Sequence, residues 1–150
     1  MEWQRYDYRI STEPARLQRG LIHELLRQHY WSKDVSEALV EKAIAGSLCF
    51  GLYRDDAQLG FARVVTDKAT FAYVAEVWLD PALDEPALGE WLIATVLSHP
   101  DLQGLQRVLL SDPQVNELYR RHGFNAPAHP EHWLEIFNPE LCREAPHILH

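Results

Sequence analysis

Cysteine, glycine and basic charge are all scarce in this 150-residue chain, and each shortage removes a class of protein. Two cysteines, Cys49 and Cys142, cannot make a disulfide scaffold or a cysteine-rich zinc site, and Cys49 lies in an apolar run that predicts a buried thiol. Seven glycines are too dispersed for a phosphate-binding P-loop or a dinucleotide fingerprint, since Gly89 stands alone where such a loop would need several. Lysine and arginine number 14 against 22 acids, a net charge of −8, which argues against nucleic acid or an anionic membrane as partner and favours a cationic amine. No apolar run approaches the roughly 20 residues that span a bilayer. The opening Met1-Glu2-Trp3-Gln4-Arg5 lacks the apolar stretch of a signal peptide, so a cytoplasmic protein is expected.

What is present is the making of one folded domain. Hydrophobic residues are 47% of the chain, with five tryptophans, six tyrosines and five phenylalanines. Tyr6 to Ile10 alternates as a strand does, and Ala15 to His29 places Leu17, Leu21, Ile22, Leu25 and Leu26 at helical spacing. A shorter helix is expected over Val35 to Ala45, stopped by Gly46. Leu48 to Tyr53 and Leu59 to Val65 flank a polar turn and predict a hairpin, and Thr70 to Leu79 is a long strand rich in β-branched and aromatic residues. Then come a helix over Pro86 to Leu97, a strand over Arg107 to Leu110, a helix over Pro113 to His122 ending at Gly123, and a last strand over His132 to Phe137. The order predicts an α/β fold with a mixed sheet and helices on both faces. Residues 1–138 form the expected domain and 139–150 a tail.

The runs Ser47 to Tyr53, Gly60 to Asp67 and Thr70 to Tyr73, followed by Leu118-Tyr119-Arg120-Arg121-His122-Gly123-Phe124, resemble the GNAT superfamily of acetyl-CoA-dependent N-acetyltransferases over about residues 6 to 137. The resemblance implies a three-layer fold, acetyl-CoA as cofactor, and transfer of its acetyl group to a small-molecule or peptide amine. It also implies that the backbone of Val77, Trp78 and Leu79 and the loop Asp84-Glu85-Pro86-Ala87-Leu88-Gly89 hold coenzyme A. The family's loop pattern is R/Q-x-x-G-x-G/A, and only Gly89 matches it. Asp84 stands in place of the cation, Ala87 in place of the central glycine, and Pro86 has no N–H to offer a phosphate.

The acids suit a helix start, where they complement the dipole and where proline is tolerated. On this reading the helix supplies its own anion. A carboxylate about 5 Å from a phosphate charge would repel it by roughly 3 kcal/mol at an effective dielectric near 20. Weak or absent coenzyme A binding is therefore the expectation at this loop, unless it is remodelled.

Aminolysis of a thioester needs a base for the amine and an acid for the leaving thiolate. By the resemblance, Tyr119 matches the tyrosine that protonates the thiolate; it could equally pack under Gly123 and Phe124. Glu76 lies in the strand from Thr70 to Leu79, where alternation sets it on one face with Val74 and Trp78. It is a candidate base, and a salt bridge to Arg63 is the structural alternative. Tyr30, Trp31, Phe50 and Phe71 are candidates for an acceptor pocket, with Trp31 expected to be the most exposed. Among eight histidines His129 and His132 are close, and Pro130 between them keeps both from one helical face, so no metal site is expected. Two readings stand: an N-acetyltransferase using Glu76 and Tyr119, or a non-catalytic relative that has lost coenzyme A and binds a metabolite or protein. Either Arg107 to Leu110 or His132 to Phe137 could pair across a homodimer.

Overall fold

The computed structural model describes residues 1–31, 33–113 and 116–139. Six strands form one sheet in chain order: β1 (Glu2–Arg5), β2 (Tyr8–Ser11), β3 (Leu48–Arg54), β4 (Ala57–Thr66), β5 (Phe71–Leu79) and β6 (Arg107–Leu110). Neighbours are antiparallel until the last pair, where β5 and β6 run parallel. The helices are α1 (Arg19–His29), α2 (Glu37–Ala45), α3 (Pro86–Ser98) and α4 (Glu117–Arg121). The parallel pair needs a crossover, and α3 supplies it.

Two hydrophobic layers hold the sheet between them. On one face Ile10, Phe50, Leu52, Ala62, Val64, Ala72 and Val74 pack against Leu88, Trp91, Leu92 and Val96 of α3. On the other, Cys49 and Phe61 meet Ile22, Leu25 and Leu26 of α1 and Val40 and Ile44 of α2. This is the mixed α/β architecture with helices on both faces that the element order predicts. Burial pushes the Cys49 thiol up to about 12, consistent with an inert core residue; Cys142 lies outside the described residues.

Four expectations need correcting. The opening strand is a hairpin, because Tyr6 takes a left-handed turn conformation (φ 53°) and returns the chain from β1 to β2. The first helix starts at Arg19, after a 3₁₀ turn at Pro14–Arg16. The helix containing Tyr119 starts at Glu117, where the Asn116 side chain accepts the Leu118 N–H at 2.9 Å and caps it; Gln114 and Val115 lie outside the described residues. His132 to Phe137 is not a strand: a 3₁₀ turn at Pro130–His132 leads into a segment that pairs with nothing among the described residues. Of the expected tail, 140–150 likewise lies outside them.

The feature that shapes the site is a β-bulge. Arg63 faces Glu76 across β4 and β5, yet its neighbour Val64 faces Val74, so Ala75 is an extra residue in β5. The extra residue inverts the alternation. Ala72 and Val74 face the α3 layer before it, whereas Val77 and Leu79 face that layer after it. Trp78 packs on the α1–α2 side. Glu76 therefore shares a face with Trp78 but not with Val74, contrary to the uninterrupted alternation read from sequence.

Candidate active site

β5 and β6 pair only from Phe71 with Arg107 to Val74 with Leu110. Beyond the bulge the two chains part, and a cleft of about 370 Å³ opens between Val77, Trp78 and Leu79 on one side and Asp112, Leu118 and Tyr119 on the other. Tyr30, at the end of α1, and Gly89, in the first turns of α3, complete its walls. A Cβ added at Gly89 would come 3.3 Å from a Leu79 methyl, a tight contact.

At the chemical end, the Tyr119 hydroxyl donates to Asp112 Oδ2 in a short contact. Burial, followed by this carboxylate, holds the Tyr119 phenol far above its ordinary range, so the phenol carries its proton throughout the physiological range. Tyr30 donates to the Val77 carbonyl at 2.6 Å. Burial, then the charges of Asp112 and Glu76, pushes its hydroxyl up to about 12. Tyr30, Asp112 and Tyr119 thus form one polar cluster in a largely apolar wall.

Glu76 sits behind this cluster, 4% exposed, with Arg63 Nε at 2.6 Å from one carboxylate oxygen and Nη2 at 2.9 Å from the other. The salt bridge raised as its structural alternative is the arrangement found. Arg63 also donates to Ser47 Oγ at 3.1 Å and lies over the Trp31 ring at 5.4 Å. Trp31 is half-buried beneath that guanidinium, and Tyr30 and Phe71 are half-buried likewise. Phe50 is fully buried in the α3 layer, and Phe71 lies at the opposite end of β5 from the cleft. Of the four pocket candidates only Tyr30 lines the cleft.

The cofactor loop also differs from the sequence reading. The residue before α3 is Glu85, and its side chain makes no capping bond. Its Oε1 instead accepts from the Tyr8 hydroxyl at 3.1 Å, and that hydroxyl accepts from Arg54 Nη1 at 3.2 Å. Neither acid lies within the first turn or caps the helix by a hydrogen bond, though Glu85 holds the N-cap position and Asp84 precedes it. Leu88 is core, while Asp84, Glu85 and Ala87 are exposed. Of the predicted cofactor contacts, Val77, Trp78, Leu79 and Gly89 reach the cleft.

Sequence reading missed Asp112. It lies seven residues before Tyr119 and is followed by Pro113, outside the helix that carries the tyrosine, and the fold turns it back onto the phenol. The turn at Pro130 also brings His129, Glu131 and His132 within 4.8 Å of one another, all exposed and none lining the cleft.

The chain as a whole has counterparts among known proteins. A crystal structure from Xanthomonas campestris pv. campestris, assigned to the GNAT family, is 41% identical, with a TM-score of 0.85 over 91% of this chain and 97% of that one. A Gibberella zeae relative named as an acetyltransferase is 31% identical over 143 residues, 80% of each chain. The N-acetylglutamate synthase of Neisseria gonorrhoeae, solved with coenzyme A and N-acetyl-glutamate, shares the fold at a TM-score of 0.62 and 20% identity, over 85% of this chain and 30% of its own. The model of the acetyltransferase (GNAT) family matches residues 5–124, and with that span and those relatives the chain belongs to that family.

Proposed function

We propose that this protein moves the acetyl group of acetyl-CoA to an amine bound in the cleft, with Asp112 as base and Tyr119 as acid. The observation that carries this reading is the Tyr119–Asp112 hydrogen bond in the cleft wall. Bound acetyl-CoA supplies an activated acyl carbon and a thiolate leaving group. Asp112 accepts the proton that the amine loses as its nitrogen bonds to the acyl carbon. Tyr119 gives its proton to the departing sulfur and recovers one from Asp112 across their existing hydrogen bond. The net change is one N–H proton moved to the thiol, and both side chains return to their starting states.

Glu76 has a different part in this reading. Both of its oxygens serve Arg63, so it anchors that cation beneath Trp31 instead of taking the proton. The backbone of Val77 to Leu79 and the cradle at Gly89 suit the pantetheine arm. The phosphate end is the poorer fit, because Asp84 and Glu85 face solvent beside the start of α3. Arg54 lies two hydrogen bonds from Glu85 and offsets part of that charge. Those acids favour the second reading, a relative that has kept the fold and binds something other than coenzyme A.

Thermal stability with and without millimolar acetyl-CoA, against ATP as an anion control, separates the two. Ligand at about 100 times its Kd stabilises by roughly 2.7 kcal/mol, a rise of several degrees. A rise specific to acetyl-CoA, followed by thiol release with an amine panel, is the expected result. No shift leaves the binding-module reading in its place.

A further inference from the structure

Three metal-ligating side chains converge on one exposed turn, away from the cleft. His129, Glu131 and His132 each bring a ligand atom within 4.8 Å of the other two. Pro130 excludes a shared α-helical face, but it opens a 3₁₀ turn over Pro130–His132. With three residues per turn, positions three apart stand one above the other, which is the relation of His129 to His132. Their rings stack accordingly, with centroids 4.6 Å apart and planes 15° from parallel. Two backbone bonds close the turn, from the His132 N–H to the His129 carbonyl at 2.9 Å and from the Trp133 N–H to the Pro130 carbonyl at 3.2 Å. The Trp133 ring lies under Arg107 at 4.9 Å, and this contact fixes the turn to the start of β6.

We propose that His129, Glu131 and His132 bind one divalent transition-metal ion of the zinc type. The donor set selects the class of ion: two imidazoles and one carboxylate suit Zn²⁺, whereas Mg²⁺ and Ca²⁺ take oxygen ligands. The spacing fits as well. In a tetrahedral site with bonds of about 2.0–2.1 Å, neighbouring ligand atoms stand roughly 3.3 Å apart. His129 Nδ1 and Glu131 Oε1 are already 3.3 Å apart. His132 completes the set by rotating its exposed side chain, because its backbone is held one turn from His129. Three protein ligands leave the fourth position to water. None of the three lines the cleft, so the ion takes no part in acetyl transfer and instead ties the turn together beside β6.

Calorimetric titration of the chelator-treated full chain with Zn²⁺ tests this, with Mg²⁺ as the control. One Zn²⁺ per chain is expected, and no binding of Mg²⁺ at the same concentration. His129→Ala and His132→Ala should each weaken Zn²⁺ by at least about tenfold, near 1.4 kcal/mol. Their circular dichroism should match the wild type, because both side chains are exposed. Glu131→Gln should cost less, since the amide keeps an oxygen donor. His147→Ala with His150→Ala, which removes the histidines near the C-terminus, should leave the site intact. A chain that binds no Zn²⁺ overturns the proposal, as does equal binding of Mg²⁺ or binding that survives His129→Ala with His132→Ala. Binding lost only with His147 and His150 also overturns it, and gives the ion to the C-terminal residues.

Discussion

The chemical end of the cleft and its phosphate end are built to different standards. At the first, Tyr119, Asp112 and Tyr30 are buried or half-buried, hydrogen-bonded, and backed by an ion pair whose acid is almost fully enclosed. At the second, Asp84, Glu85 and Ala87 are exposed, and the start of α3 is left without a side-chain cap. Each buried polar group is committed by the cost of leaving it unpaired, whereas an exposed loop can change sequence at little cost to the fold. On the proposed reading, the groups assigned to the chemistry are held by the fold, whereas the acids at the start of α3 are not. The contrast also sets where substitutions will be felt.

The largest effect is expected from the support beneath the chemical end. Glu76→Ala leaves Arg63 buried without its anion and should lower unfolding free energy by about 3–5 kcal/mol, read by urea denaturation. A loss under 1 kcal/mol would show that Arg63 finds water instead. Next comes Tyr119→Phe, which removes the acid but leaves the ring against Phe124 (centroids 6.3 Å). Turnover should fall roughly 100-fold with Tm nearly unchanged, and unaltered turnover would take Tyr119 out of the chemistry. At the phosphate end, Asp84→Arg with Glu85→Gly should tighten coenzyme A by at least about tenfold, near 1.4 kcal/mol, by calorimetry. No gain would mean that the guanidinium of Arg54 already neutralises the loop.

The smallest effect lies away from both ends and serves as their control. His99 is held below its ordinary pKa by burial, and its Nδ1 accepts the Asp101 N–H at 3.0 Å. The unfolded chain therefore takes up this proton first as pH falls. The contribution to stability is complete above the unfolded value near 6.5 and drains away below it. Stability measured from pH 7 to pH 5 should decline less steeply in His99→Gln than in the wild type.

Much of the fold was legible because its elements announce themselves locally. β6 appears where a short apolar run predicts it, and α3 begins at the proline that marks its first turn. β1 was hidden because Glu2-Trp3-Gln4-Arg5 has one apolar residue, and its partner β2 alone supplies the pairing. Tyr119 was legible through its motif with Gly123 and Phe124. Asp112 was not, since its role comes from a loop folding back. The side on which Glu76 lies was misread because Ala75 carries no signature of a bulge, and only the pairing with β4 reveals it.

That single alanine acts on β5 as an inserted letter acts on a reading frame. Every residue downstream changes layer, so the acid that strict alternation would send toward α3 is delivered to Arg63, and Val77 and Leu79 are delivered to the cleft's opposite flank. The strand is in effect two short strands of opposite phase, joined at the point where its parallel neighbour departs. Substitutions can tune either half independently, but a one-residue deletion between Val74 and Glu76 would move Glu76 and the residues beyond it to the wrong side at once.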